Sequence, residues 1–121
     1  MNFDSNYPIY LQIADDIKRR IIISELKPGD KLPSNSELAE YYTINPNTVQ
    51  RVYKQLELEN ICYTRRGLGT FLIDDINLKS RLTTECVSKI ANDFLKKMAS
   101  LGFPTRDVIN IINDINDKED K

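Results

Sequence analysis

The sequence contains no histidine and only two cysteines. Without histidine the commonest general base and the commonest metal ligand are both missing. A metal centre and a Ser/His or Cys/His nucleophile are thereby excluded, so no catalytic residue, no metal and no cofactor is expected. Cys62 and Cys86 belong to no CxxC pair or Cys/His cluster, which makes reduced, packed thiols the expectation. Long hydrophobic runs are missing too: the triplet at 21–23 falls far short of the ~20 apolar residues that span a bilayer, so no membrane partner is expected. The opening "MNFDSNYPIY" has neither the basic start nor the apolar stretch of a signal peptide, and a cytoplasmic location follows as the expectation. A surplus of one charge sign is also absent. Seventeen Lys and Arg stand against eighteen Asp and Glu, and residues 1–73 hold nine of each. Any basic surface must be local, and the window 45–66 supplies one, with Arg51, Lys54, Arg65 and Arg66 against Glu57 and Glu59.

What is present fits a globular chain: 121 residues, 40% apolar and 29% charged, enough for one compact domain with a small appendage. "YPIYLQIADDIKRRIII" places Pro8 in a first helical turn and repeats Ile9 or Tyr10, Ile13, Ile17 and Ile21 at helical spacing, with Asp15, Lys18 and Arg19 on the other face. "KPGDKLP" is a Pro-Gly turn, and residues 31–32 have room for a very short strand before Pro33. "SNSELAEYY" opens with the Ser-x-x-Glu spacing of a capping box and predicts a short helix to about Tyr42 that buries Leu38 and Ala39. After the tight turn "TIN", Asn45 suits an N-cap and Pro46 the first position of another helix.

At 100° per residue that helix sends Val49, Val52, Tyr53 and Leu56 to one face and Asn47, Gln50, Arg51 and Lys54 to the opposite one. Leu58 falls with the polar set, where the following hairpin would be its only cover. Asn60 suits the left-handed residue that closes a helix. "ICYTRRGLGTFLI" then predicts two strands, 61–64 and 70–73, around a tip holding Gly67, Gly69 and the adjacent Arg65 and Arg66. "DDIN" ends the first module, giving domains of 1–75 and 76–121. A long helix over 78–101 carries Val87, Ile90, Phe94, Met98 and Leu101 at helical spacing. Gly102 stops it, and a second helix after Pro104 aligns Val108, Ile111, Ile112 and Ile115. The terminal "NDKEDK" is charged and expected to fray.

Helix, short helix, tight turn, helix and a basic-tipped hairpin is the layout of a winged helix-turn-helix, a mainly α fold with a small β-hairpin wing. In it the second helix of the pair enters the major groove with its N-terminal side chains on base edges. Amides pair with adenine and arginine with guanine, whereas lysines and hydroxyls more often hold phosphates. Double-stranded DNA is therefore the expected partner. A winged-helix module whose basic tip binds an acidic protein stays open beside it, and the missing histidine weighs against the third reading, a small enzyme or metabolite binder.

Residues 8–73, with "KPGDKLPS", "INPNTV" and "RRGLGTF" in order, resemble the DNA-binding domain of GntR-type bacterial transcription regulators, and the short helical tail resembles the YtrA-like branch. The resemblance implies DNA contacts at Ser36, Asn45, Asn47, Thr48, Gln50 and Arg51 and, on the wing, at Arg65, Arg66 and Gly67; Lys54 lies on the same polar helix face. Many relatives carry arginine at the position of Ser36 and a basic residue at that of Pro46, so two contacts differ here. Relatives are dimeric, many are encoded beside transporter genes, and repression is implied by the resemblance alone. Two helices cannot by themselves enclose a metabolite pocket of ~300 Å³, so a dedicated sensor domain is expected to be missing and the effector is unknown. Their apolar stripes are expected to pair with those of a second copy in a two-fold homodimer, which implies an inverted-repeat operator.

Overall fold

The structure, a computed structural model, describes residues 1–119. Five helices and one hairpin follow in the order α1 (Ile9–Ile22), α2 (Asn35–Tyr42), α3 (Pro46–Leu58), β1 (Cys62–Arg65), β2 (Gly69–Leu72), α4 (Leu78–Ser100) and α5 (Thr105–Glu119). This is the mainly helical winged fold that the sequence predicts. The chain divides into two compact units, 1–83 and 84–121. The division falls within α4, because Leu78 and Leu82 on its first turns are fully buried in the core of the first unit. The expected boundary at 75 lies in the polar connector between β2 and α4.

In the first unit α3 packs against α1, α2 and β1. Ile13, Ile17 and Ile21 of α1 meet Val49, Val52, Tyr53 and Leu56 of α3 in one core, which is the pairing of stripes that their helical spacing requires. Tyr10, rather than the exposed Ile9, completes the α1 stripe against that core. Pro8 sits one residue outside the helix as its N-cap. Gln12 is buried, and no hydropathy pattern flags it: its amide accepts from Asp4 N–H at 2.8 Å and donates to the Asp4 and Tyr7 carbonyls, so every polar atom is paired.

The capping box is formed. Ser34 Oγ accepts from Glu37 N–H at 3.2 Å and Glu37 accepts from Ser34 N–H at 3.0 Å. The bond from the Ser34 backbone first, and the Ser34 hydroxyl beside the carboxyl second, hold Glu37 below its ordinary value. Tyr42 joins Leu38 and Ala39 in the core. Thr43 and Asn60 adopt left-handed conformations, closing α2 and the turn after α3. Arg81 of α4 donates to the Glu59 and Asn60 carbonyls at 3.2 and 3.0 Å, satisfying acceptors that the end of α3 leaves free.

The hairpin is shifted by one residue from the predicted strands, with Cys62↔Leu72 and Arg65↔Gly69 as its limits. Gly69 enters the strand because its φ of +122° lets the backbone pair next to a three-residue tip. Lys31 forms a single bridge to Phe71, and Leu32 N–H donates to Thr70 O at 2.8 Å, so the expected short strand is reduced to one ladder step. Leu58 is 71% exposed, without cover from the hairpin.

In the second unit α4 ends at Ser100, one residue before the prediction, and α5 runs unbroken to Glu119. Residues 116–119, expected to fray, are helical; the last two of that stretch, Asp120 and Lys121, lie outside the described residues. Val87, Ile90, Phe94, Leu101, Ile112 and Ile115 are exposed and Met98 and Ile111 half-buried. Val108, expected on the same interface, is already 2% exposed within one chain. Among the described residues no helix is long and apolar enough to cross a membrane.

Candidate nucleic-acid interface

The start of α3 is shaped by its cap. Asn45 Oδ1 accepts from Asn47 N–H at 2.8 Å and Pro46 occupies the first turn. The Asn45 oxygen is therefore engaged by the backbone, and only its NH₂ group remains to donate outward. Beyond it, Asn47, Gln50, Arg51 and Lys54 stand at i, i+3, i+4 and i+7, which is one helix face, and all four are exposed. Thr48 is half-buried at the edge of that face. Among the described residues, none of the Asn47, Gln50, Arg51 and Lys54 side chains has a hydrogen bond or ion pair within the chain. Arg51 has one partner of another kind: its guanidinium lies over the Tyr10 ring, 4.2 Å from the centroid.

The wing places Arg65 at the end of β1 and Arg66 and Gly67 in the tip, all exposed. Gly67 has a φ of +80° and open space around it, so glycine is required there by backbone conformation and leaves a surface that backbone can approach closely. The wing is braced by Tyr63 stacked on Phe71, with centroids 5.9 Å apart, and by the Thr64 hydroxyl donating to the Glu57 carboxylate of α3. Between wing and α2 lies an open cleft of about 370 Å³, lined by Lys31, Ser34, Asn35, Arg65 and Arg66 among others. Sequence reasoning missed Lys31, whose position beside the wing arginines depends on the bridge to β2. It missed Tyr10 as a site residue too, because spacing marks it only as core. Ser36 is exposed on the first turn of α2.

Cys62 is buried beneath the start of the wing. Burial pushes the Cys62 thiol up to about 12, and its Sγ donates to the Tyr53 carbonyl at 3.7 Å, so it is not a reactive thiolate. Among the described residues no group of three His, Cys, Asp or Glu is placed to hold a metal ion.

The arrangement matches known proteins. Residues 9–72 fit the family described as bacterial regulatory proteins, gntR family. The HTH-type transcriptional regulator YhcF of Bacillus subtilis is 42% identical over 107 residues, which are 88% of each chain. The HTH-type transcriptional repressor YtrA of the same organism is 48% identical over 71 residues, 59% of this chain and 55% of its own. Among solved structures, a GntR family transcriptional regulator from Listeria monocytogenes superposes with a TM-score of 0.85 at 35% identity, covering 93% of this chain and 98% of that one.

Proposed function

Because this chain belongs to the GntR family of bacterial regulatory proteins and is a DNA-binding transcription regulator, we propose that it acts as a homodimeric repressor on an inverted-repeat operator in a promoter. The observation that carries the reading is the polar face of α3, exposed and, among the described residues, without internal hydrogen bonds or ion pairs, beside a wing that ends in two arginines. Unpaired donors cost little in water and become valuable on base edges and phosphates. Asn47, Gln50 and Arg51 are assigned to base edges. Lys54, Thr48, Ser36 and the free amide of Asn45 are assigned to the backbone, with Arg65, Arg66 and Gly67 on the flanking minor groove.

Dimerisation is supported by the second unit. Ile90 is 70% and Phe94 42% exposed, with Ile112 and Ile115 similarly open, a run of large apolar side chains that a second copy would cover. Two linked half-sites then bind far more tightly than one. Occupying the promoter excludes polymerase. The repressor title of YtrA and the exposed stripe support this reading; promoters of transporter genes are the first to screen.

The test is fluorescence anisotropy with DNA from upstream of the protein's own gene against a scrambled duplex, titrated across salt. Preference by ~10³ or more with a steep salt slope is expected. No binding to either duplex would favour a protein-contact module instead. Sedimentation of the Ile90→Gln/Phe94→Gln variant is expected to show a monomer with weakened operator binding, and an intact dimer would overturn the interface.

A further inference from the structure

We propose that Tyr10 is a positioning residue for Arg51, and that the pair, one residue on α1 and one on α3, sets base preference at one position of each half-site. The inference rests on the DNA-reading function above and goes beyond it, since Tyr10 belongs to the stabilising helix and not to the reading helix or the wing.

Three observations combine. The Arg51 guanidinium lies 4.2 Å from the centroid of the Tyr10 ring. Its side chain has no carboxylate or hydrogen-bonding partner among the described residues, so the ring is its sole anchor. Tyr10 is itself half-buried and packed against the core that joins α1 to α3, which makes it a fixed platform.

The contact with the ring occupies none of the guanidinium's donors with a hydrogen bond. The five N–H donors, arranged in a rigid fork, stay available in the plane, where a guanine O6/N7 pair would meet them. A free arginine side chain carries about 2 kcal/mol of rotamer entropy. A platform that removes part of this freedom before binding lowers the ordering cost at the moment of binding. Arg20 shows the contrasting case. It also lies over a tyrosine, with its guanidinium 4.6 Å from the Tyr41 centroid, but its donors are taken by Asp16 at 3.2 Å and by the Tyr41 hydroxyl. A ring beneath and no hydrogen bond from the donors distinguishes a side chain held ready from one held in place.

The experiment selects duplexes from a random-sequence library with the wild-type protein and repeats the selection with variants, alongside thermal unfolding. Arg51→Ala is expected to flatten preference at one position per half-site. Tyr10→Leu is expected to flatten that same position and weaken binding to the selected duplex by about two- to fivefold, the worth of an exposed cation–π contact. Tyr10→Phe, which keeps the ring, should restore the preference. Arg51→Lys, which keeps the charge and loses the plane, should not. Adding Tyr10→Leu to Arg51→Ala should cost nothing more. A uniform loss on selected and random duplexes, additive losses in the double variant, or a failure of Tyr10→Phe to rescue would overturn the proposal while leaving DNA reading intact. If Tyr10→Leu does not fold, preference retained by Arg51→Lys would overturn it in the same way. Failure of the wild-type protein to enrich any sequence would overturn the DNA-reading function, and this proposal with it.

Discussion

The cations of α1 and those of α3 and the wing have similar chemistry and opposite circumstances. On α1, Lys18 pairs with Glu59 at 2.6 Å, and Arg19 and Arg20 both reach Asp16 at 3.2 Å. Asp16 also accepts from the Tyr42 hydroxyl at 2.6 Å. On α3 and the wing, Arg51, Lys54, Arg65 and Arg66 have no carboxylate partner among the described residues. A chain with balanced charge has acids enough to pair them all, and here α1 pairs its cations, Arg19 and Arg20 with Asp16 of the same helix and Lys18 with Glu59 at the end of α3. The difference separates charge that holds the fold from charge that is available to a polyanion, and net charge cannot reveal it.

Substitutions can break or sharpen that contrast. Asp16→Ala removes one acceptor shared by three donors and leaves a half-buried Arg20 short of a partner; a loss of about 2–3 kcal/mol in urea unfolding is expected. The folded fraction should retain its DNA affinity, and a cost below ~0.5 kcal/mol would mean that the α1 pairs are as dispensable as most surface ion pairs. Arg65→Ala with Arg66→Ala should do the reverse, lowering DNA affinity about tenfold or more and flattening the salt slope, with thermal stability unchanged. Loss of stability there would erase the distinction.

The pH dependence follows the same line. Burial works against the Asp16 charge, but hydrogen bonds from Tyr42 and Arg19 and the charges of Arg20 and Arg19 outweigh it, and the carboxyl sits below its ordinary 3.8. A depressed folded-state value contributes stability that is present above 3.8 and is lost as pH falls through the lower folded value. Urea midpoints should therefore be insensitive to Asp16 near neutrality and decline in acid, and Asp16→Ala should remove part of that decline. A smaller effect, about 1 kcal/mol of stability, is expected for Asn45→Ala, since its oxygen caps α3. A loss of affinity beyond that lost stability would show that its NH₂ also reaches DNA. Lys54→Ala should be smallest, a weakening equal on specific and random duplexes, with the salt slope reduced by about 1 for each bound copy.

Much of this was legible in the residues. Capping at Ser34 and Asn45 is local chemistry, written in adjacent side chains, and each cap forms as its spacing requires. The buried and exposed faces of α3 follow from a 3.6-residue period and need no knowledge of neighbours. The wing arginines were visible because two glycines mark the tip. What escaped depended on contacts distant in sequence: the burial of Leu78 and Leu82, the pairing of Gln12 with the N-terminal turn, Lys31 beside the wing, and Tyr10 under Arg51.

Local residue order therefore specified the helices, their caps, the hairpin and the exposed polar face of α3, since periodicity and turn chemistry act within a few residues. Tertiary packing decided which partners distant in sequence the polar and charged side chains meet, whereas Arg19 and Arg20 find Asp16 at helical spacing within α1. Lys18 meets Glu59, 41 positions away, Asp16 accepts from the Tyr42 hydroxyl, 26 positions away, and Arg51 lies over the ring of Tyr10 on another helix. Electrostatic interaction falls with distance in space and takes no account of distance along the chain.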